Sequence, residues 1–147
     1  MTNVKGNKQK ITPFLWYDNN AKEAAEFYVS VFENSRIIGH NPMVSTFELE
    51  GIQFHAMNGG PKYKLNESFS LSVMCDTQEE IDYYWNIFTK DGGEESMCGW
   101  LKDKFGLSWQ IIPSILPGLM SDPDKRDRVV KAFLQMKKFD IEKLKQA

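Results

Sequence analysis

The chain has 147 residues, of which 41% are hydrophobic and 26% are charged, and this composition is typical of one soluble globular domain with its own core. Its net charge is −2, so no basic field attracts nucleic acid or an anionic membrane, and we expect neither as a partner. No apolar run approaches the ~20 residues of a membrane span, and the polar amino terminus has no apolar signal core. These features predict a cytoplasmic protein.

The chain contains two cysteines, Cys75 and Cys98. Their spacing matches neither a zinc site nor a disulfide framework, so we expect free thiols in a reducing compartment. No general base is predicted beside Cys75, which argues against a role as a nucleophile.

The first half of the chain predicts a strand, a helix and three further strands. Residues 11–18 are mostly apolar or aromatic and end in a turn-forming Asp-Asn-Asn run, which is typical of a strand. Asn20 is the predicted N-cap of the helix, because Glu23 follows three residues later and an apolar stripe begins. That stripe consists of Ala24, Phe27, Tyr28, Val31 and Phe32. Strands are predicted at 36–40, 44–50 and 52–57, with a hairpin turn at Gly51.

The second half repeats this order. A strand is predicted at 68–75, and Thr77 with Glu80 forms the capping box of a second helix. The caps and stripes of the two helices correspond at a constant spacing: Asn20 with Thr77, Ala24 with Ile81, Phe27 with Tyr84, Tyr28 with Trp85, and Val31 with Phe88. The run 51–55 also matches 106–110 in hydrophobic pattern. This ordered set of matches predicts an internal duplication.

The predicted fold class is α+β. Two βαβββ units, at about 11–60 and 68–113, each place a helix on one sheet face and together curve around a cavity. A helical tail follows at about 121–147, so that 11–147 is one domain. In the tail, Asp122-Pro123 is the predicted helix start and Asp140 caps a short last helix. We expect the tail to pack across the other half or across a second subunit, which predicts a homodimer.

Side-chain alternation along the strands predicts which residues line the cavity. If Phe14, Trp16, Phe54, Leu71, Val73 and Trp109 face the helices, a mixed and polar set points the other way, as in a ligand cavity. The candidate ligand-binding residues are Tyr17, Gln53, His55, Met57, Ser70, Ser72, Trp100 and Gln110. Alternatively, Tyr17 could pack in the core and Trp100 could form a subunit contact. Residues 102–104 are interpreted as a solvated turn.

Three segments resemble a known family. They are ITPFLWYDNNAKEAAEFYVSVFENSRI at 11–37, CGWLKDKFGLSWQIIP at 98–113, and DPDKRDRVVKAFLQMKKFDIEKL at 122–144. The paired βαβββ order is similar to the vicinal oxygen chelate superfamily, which includes glyoxalase I, extradiol dioxygenases and bleomycin- and fosfomycin-resistance proteins. The three segments resemble its PhnB-like branch, which often carries the label 3-demethylubiquinone-9 3-methyltransferase domain.

The resemblance implies a divalent metal held by His or Glu side chains on the first and last strands of each unit. Those positions fall here on Pro13, His55, Ser70 and Gln110. A single imidazole without a carboxylate is a poor ligand set, so we expect no usual metal site and predict no cofactor. A different ligand set that includes Glu48 stays open. The methyltransferase label also lacks support, because the glycines lie at hairpins rather than at a methyl-donor turn.

Two function classes follow from these residues. The first is a protein that binds a small molecule in the cavity, with polar side chains orienting the ligand. The second is a metal-dependent or His-based enzyme of the lyase, isomerase, dioxygenase or transferase type, acting on a small oxygen-rich substrate. In the second class His55 is the candidate catalytic base, and in the first it is a hydrogen-bonded cavity histidine.

Overall fold

The structure is a computed structural model that describes residues 9–147, and the polar amino terminus up to residue 8 lies outside the described residues. The chain divides into two compact units that meet in sequence between Lys64 and Leu65. The organisation of both units into one domain around a shared cavity stays a prediction.

The first unit contains one helix and a four-stranded sheet. Its elements in chain order are β1 Phe14–Tyr17, α1 Ala21–Val31, β2 Ser35–His40, β3 Val44–Leu49 and β4 Ile52–Asn58. The strand order is β1-β4-β3-β2, with β1 parallel to β4 and the other pairs antiparallel. Strand β1 is shorter than the predicted 11–18.

The second unit repeats this arrangement. Its elements are β5 Ser70–Cys75, α2 Gln78–Thr89, β6 Glu94–Glu95, β7 Trp100–Lys102 and β8 Ser108–Pro113. A short 3-10 turn, Lys90–Gly92, lies between α2 and β6. The strand order is β5-β8-β7-β6, again with the first and last strands parallel. The shared order confirms the predicted α+β fold with two βαβββ units.

The two predicted helix caps have different outcomes. The Thr77 hydroxyl accepts a hydrogen bond from the Glu80 N–H at 3.1 Å, so the cap of α2 is confirmed. Asn20 is the N-cap residue of α1, as predicted, but its side chain makes no capping hydrogen bond. Instead the Ala21 N–H donates to the side-chain oxygen of Asn58 at 2.9 Å. A residue at the end of β4 therefore satisfies the start of α1.

The core of the first unit corrects the predicted faces of β1. Leu15 and Tyr17 are 2% and 3% exposed and lie toward α1, where the hydroxyls of Tyr17 and Tyr28 are 2.8 Å apart. Phe14, by contrast, is 55% exposed. The prediction that Tyr17 faces away from the helix is wrong. All four residues of β1 are apolar or aromatic, so alternation alone could not set which pair faces inward.

The core of the second unit agrees with the predicted faces. Trp109 of β8 stacks on Phe88 of α2 with ring centroids 4.3 Å apart, and both are buried. Leu71 and Val73 lie opposite Trp109 and Ile111 in the parallel register, on the helix side. Ser70 and Ser72 alternate with them and occupy the other face.

The carboxyl-terminal tail forms three short helices, α3 Leu116–Ser121, α4 Arg126–Phe133 and α5 Ile141–Gln146. Asp140 caps α5 as predicted, since its carboxylate accepts from the Lys143 N–H at 3.1 Å. The predicted start at Asp122-Pro123 is wrong, because Asp122 accepts from the Asp124 N–H in a turn and α4 begins at Arg126. Helix α3 is an addition to the predicted elements.

The tail packs against the second unit, to which it belongs. The Gln78 side chain donates to the Phe139 carbonyl and accepts from the Ile141 N–H, both at 2.9 Å. Phe139 and Leu144 are 1% and 0% exposed. The apolar side of the tail is thus covered within its own unit, and the homodimer stays a prediction. No helix formed by residues 9–147 is long and apolar enough to cross a membrane.

Candidate functional site

The face of the second sheet opposite α2 carries most of the predicted ligand-binding residues. In one row Ser70, Ser108 and Lys102 lie opposite one another, and in the next row Ser72, Gln110 and Trp100 do so. We call these six residues the polar face. The Gln110 amide donates to the Ser70 hydroxyl at 3.0 Å. Four predicted site residues, Ser70, Ser72, Trp100 and Gln110, are therefore brought together.

A cavity of about 440 Å³ adjoins the polar face at the β6–β7 edge. Its lining includes Glu67, Glu94, Met97, Trp100, Lys102 and Ser108. This volume lies within the range of small-molecule sites, roughly 300–1,000 Å³. The lining combines apolar surface from Trp100 and Met97 with a few charged and hydroxyl groups, which is the usual composition of such a site.

Ser108 has the least usual environment in this cavity. It is 0% exposed, and among residues 9–147 its hydroxyl is the one buried side-chain N or O atom without a hydrogen-bond partner. A buried, unpaired hydroxyl costs about 1–3 kcal/mol relative to a paired one. Buried polar groups normally have partners, so this hydroxyl is an exception among the described residues.

The charged groups at the cavity are unevenly paired. The Lys102 ammonium lies 2.5 Å from the Glu67 carboxylate. This hydrogen bond raises the pKa of Lys102 and lowers the pKa of Glu67 from their ordinary values. Glu95 accepts from the Trp85 indole N–H at 2.8 Å and lies 4.0 Å from the Lys137 ammonium. Glu94 lies opposite Lys102 in the sheet register and makes no ion pair with any described residue.

The tail holds one wall of the cavity in place. The N–H groups of Cys98 and Gly99 donate to the carbonyls of Met136 and Lys137, at 2.7 and 2.8 Å. Both Cys98 and Gly99 have left-handed backbone angles, with φ of 59° and 80°. A Cβ atom on Gly99 would lie 2.4 Å from the Phe139 ring. The loop before β7 therefore depends on a glycine and on the tail for its conformation.

Two further sequence interpretations are settled in the second unit. Asp103 does not lie in a solvated turn: it is 2% exposed, and its carboxylate accepts from the Trp109 indole N–H at 2.8 Å and from the Leu107 N–H at 3.1 Å. Cys75 is a free thiol that is 0% exposed. Burial, reinforced by the Glu80 and Asp76 charges, raises its pKa to about 12. A thiol with this pKa is a poor nucleophile at neutral pH.

In the first unit, the face opposite α1 carries three of the predicted residues. Gln53, His55 and Met57 alternate along β4 and are half-buried. The His55 Nδ1 atom lies 2.9 Å from the Thr46 hydroxyl, and its ring lies 5.2 Å from the Phe14 ring centroid. Its Nε2 atom has no hydrogen-bond partner among the described residues. Tyr17, the fourth predicted residue of this unit, lies on the opposite side of the sheet.

The residues at the positions implied for a divalent metal do not suit one. On the first sheet Phe14, rather than the predicted Pro13, lies opposite His55. On the second sheet Ser70 and Gln110 are bonded to each other. One imidazole with hydroxyl and amide groups and no carboxylate does not form a tight divalent site. The part of the chain that the structure describes has no cluster of three or more His, Cys, Asp and Glu placed for a metal.

The comparisons with known proteins establish the family. The family model for 3-demethylubiquinone-9 3-methyltransferase matches residues 9–112. This chain belongs to that family. The PhnB protein of Bacillus cereus, whose description carries the same methyltransferase name, is 32% identical, with a TM-score of 0.65 over 72% of this chain and 100% of that chain. No curated protein sequence matches the chain.

More distant solved structures share the fold of this PhnB-like chain. A protein from Pseudomonas aeruginosa is 20% identical, with a TM-score of 0.58 over 70% of this chain and 96% of its own. A glyoxalase/bleomycin resistance protein from Albidiferax ferrireducens is 14% identical, with a TM-score of 0.51 over 71% and 98%. The predicted PhnB-like family is confirmed, and the more distant structures show that the chain has the fold predicted from the vicinal oxygen chelate superfamily.

Sequence reasoning missed the charged part of the site in this PhnB-like chain. Lys102 follows Trp100 by two residues on β7, so alternation would have placed both on one face. Glu67 lies in the loop before β5, and only the folded chain brings it to Lys102. Ser108 was assigned to the correct face, but nothing in the sequence indicates that its hydroxyl is unpaired.

Proposed function

We propose that this PhnB-like protein binds a small organic molecule in the cavity at the β6–β7 edge of its second sheet. The observation that carries the proposal is the Ser108 hydroxyl, which is buried and unpaired at the cavity. Maintaining such a group costs stability, and a ligand that pairs with it would recover that cost. Trp100 supplies a flat surface beside it, and Gln110 and Ser70 supply neutral donors and acceptors that can orient the ligand.

The methyltransferase name of the family does not determine the reaction of this chain. Methyl donors with an adenosine group are commonly held at a glycine-rich turn of a doubly wound parallel sheet. Each sheet here is mixed, with one parallel pair of strands and two antiparallel pairs. The positive-φ glycines Gly51 and Gly106 lie at or beside hairpin turns. Binding is therefore the proposal that the geometry favours.

Native mass spectrometry of the purified full chain tests this proposal directly, and it also gives the subunit count. We expect a co-purifying small molecule, or binding of compounds from a fragment library that disappears in Trp100→Ala and Ser108→Ala. The exposed residue Tyr83 on α2 supplies a matched aromatic control, Tyr83→Ala, which should bind like the wild type. Absence of any bound compound, or binding unchanged in both cavity variants, would contradict the proposal.

The same preparation tests the metal argument. The side chains at the metal-ligand positions predict no stoichiometric zinc, nickel, manganese or iron in the protein as purified. Elemental analysis that finds one such metal per chain would show that the residue-based argument is wrong.

One observation favours a second candidate function, a His-based enzyme. Thr46 fixes the His55 ring through Nδ1 and leaves Nε2 open on the face away from α1. An oriented imidazole with a free nitrogen is suited to accept a proton from a substrate. If His55 acts in this way, His55→Ala abolishes turnover and changes ligand affinity only a few-fold. If the wild-type protein turns over no substrate, this candidate function is refuted.

A further inference from the structure

We infer that the cavity beside Ser108 is selective for a small organic cation, an ammonium group carried on an apolar or aromatic body. This inference rests on the proposed function and specifies its ligand class. It depends on three features of the cavity: the balance of charge around it, the aromatic ring of Trp100, and the buried hydroxyl of Ser108.

The charge balance at the cavity leaves one negative group. Three carboxylates line it, those of Glu67, Glu94 and Glu95. Lys102 lies 2.5 Å from Glu67, and Lys137 lies 4.0 Å from Glu95, so two of the three have a cationic partner. The charge of Glu94 acts on Lys102, which lies opposite it and is already paired with Glu67, and Glu94 has no cation within ion-pair distance among the described residues. A bound cation would complete this set, whereas a bound anion would add a further negative charge.

An anionic ligand would also have to compete for the cation that is present. The Glu67 carboxylate already occupies Lys102, and their hydrogen bond raises the pKa of the ammonium. Glu94 lies opposite Lys102 in the register and repels a second carboxylate there. An anionic ligand that displaced Glu67 from Lys102 would form one ion pair and break another. No net attraction would then offset the repulsion between the ligand and Glu94.

The uncharged part of the lining suits the body of such a ligand. Trp100 is half-buried on the polar face, and the face of an indole ring attracts cations more strongly than the other aromatic side chains do. Met97 adds an adaptable apolar surface. The Ser108 hydroxyl, 0% exposed and unpaired, supplies an acceptor for an ammonium N–H or a donor to a polar atom of the ligand.

Three probes of nearly equal shape test the charge preference: 2-phenylethylamine, 2-phenylethanol and phenylacetate. Isothermal titration calorimetry of the full chain at neutral pH and low salt should give the tightest binding for the amine and the weakest for phenylacetate. We expect the amine to bind about fivefold more tightly than the alcohol, since a partly exposed ion pair and a cation–π contact are each modest. Glu94→Gln should reduce this preference without abolishing it, because the contact with Trp100 is kept. Glu79→Gln, which changes an exposed glutamate on α2, should leave the preference unchanged.

The outcomes separate this inference from the proposed function. If the alcohol or phenylacetate binds as tightly as the amine, or if Glu94→Gln keeps the full preference, the cation inference is refuted. In those cases, binding that is weakened in Ser108→Ala still supports a small-molecule site. If none of the three probes binds in the millimolar range, the cation inference is refuted, and the proposed function depends on the mass spectrometry described above.

Discussion

Ser45 and Ser108 are both buried serines, and they differ in whether the hydroxyl has a partner. Ser45 is 2% exposed, and its hydroxyl lies 2.7 Å from the Nδ1 atom of His40. Ser108 is 0% exposed and has no partner among the described residues. Replacing each serine by alanine removes one oxygen atom from a buried position. The two variants therefore form a matched pair in which hydrogen bonding is the main difference.

The two substitutions are expected to change stability in opposite directions. Ser45→Ala loses a hydrogen bond whose net contribution is about 1 kcal/mol. Ser108→Ala removes a hydroxyl whose burial without a partner costs about 1–3 kcal/mol. The small void that the substitution leaves offsets part of this, so the free energy of unfolding should rise by about 1 kcal/mol. The free energies of unfolding should differ by about 2 kcal/mol between the variants. At about 3 °C per kcal/mol for a chain of this size, their Tm values should differ by roughly 6 °C.

Urea titration followed by far-ultraviolet circular dichroism, together with thermal melts, measures both variants against the wild type. All samples must be freed of co-purified ligand, because a ligand bound at Ser108 would stabilise the wild type and reverse the comparison. If ligand-free Ser108→Ala is destabilised as much as Ser45→Ala, the hydroxyl has a partner in solution. The argument for a ligand at this position would then be wrong.

Three further predictions follow from positions described above. Gly99→Ala should lower the free energy of unfolding by about 3 kcal/mol or more, because it combines a left-handed φ with a collision against Phe139. Gly39→Ala, which has open space around it, should be nearly neutral in the same denaturation assay. Burial raises the pKa of Cys75 to about 12 from 9.0, so above pH 9 the folded state keeps a proton that the unfolded state releases. The free energy of unfolding should therefore fall as the pH rises above 9. Cys75→Ala should remove the part of this decrease that comes from the thiol. Tyr17→Phe should destabilise the protein by about 1 kcal/mol, because it removes a buried hydrogen bond. Probe binding in calorimetry should stay unchanged. A variant that alters probe binding but not stability would contradict the place of Tyr17 in the core.

Much of the fold could be predicted from the sequence because its signals are local. The cap at Thr77, the stripe on α2 and the alternation on β3 each depend on residues close in the chain. The position where α1 starts was predicted from Asn20, but the group that satisfies its first N–H was not, because Asn58 lies far along the sequence. Helix α3 was missed because it contains a proline and a glycine, which ordinarily indicate a turn.

The candidate site was predictable in its neutral part and not in its charged part. Strand alternation placed Ser70, Ser72 and Gln110 correctly, since these strands have a clear apolar side. It failed for Tyr17, where the whole strand is apolar. The Glu67–Lys102 pair is a tertiary contact between a loop and a strand, and sequence spacing carries no information about it.

If the cavity binds a ligand as proposed, the attachment of the tail to the cavity wall couples ligand binding to tail docking. The loop of Cys98 and Gly99 has its backbone N–H groups satisfied by carbonyls of tail residues, so a detached tail leaves that wall without its conformation. A ligand that requires the wall therefore holds the tail down with a free energy that grows with ligand concentration. At ten times its Kd, such a ligand would slow proteolytic removal of the tail roughly tenfold. Under the proposed function, the rate of proteolysis at the carboxyl terminus would report whether the cavity is occupied, without the ligand being identified.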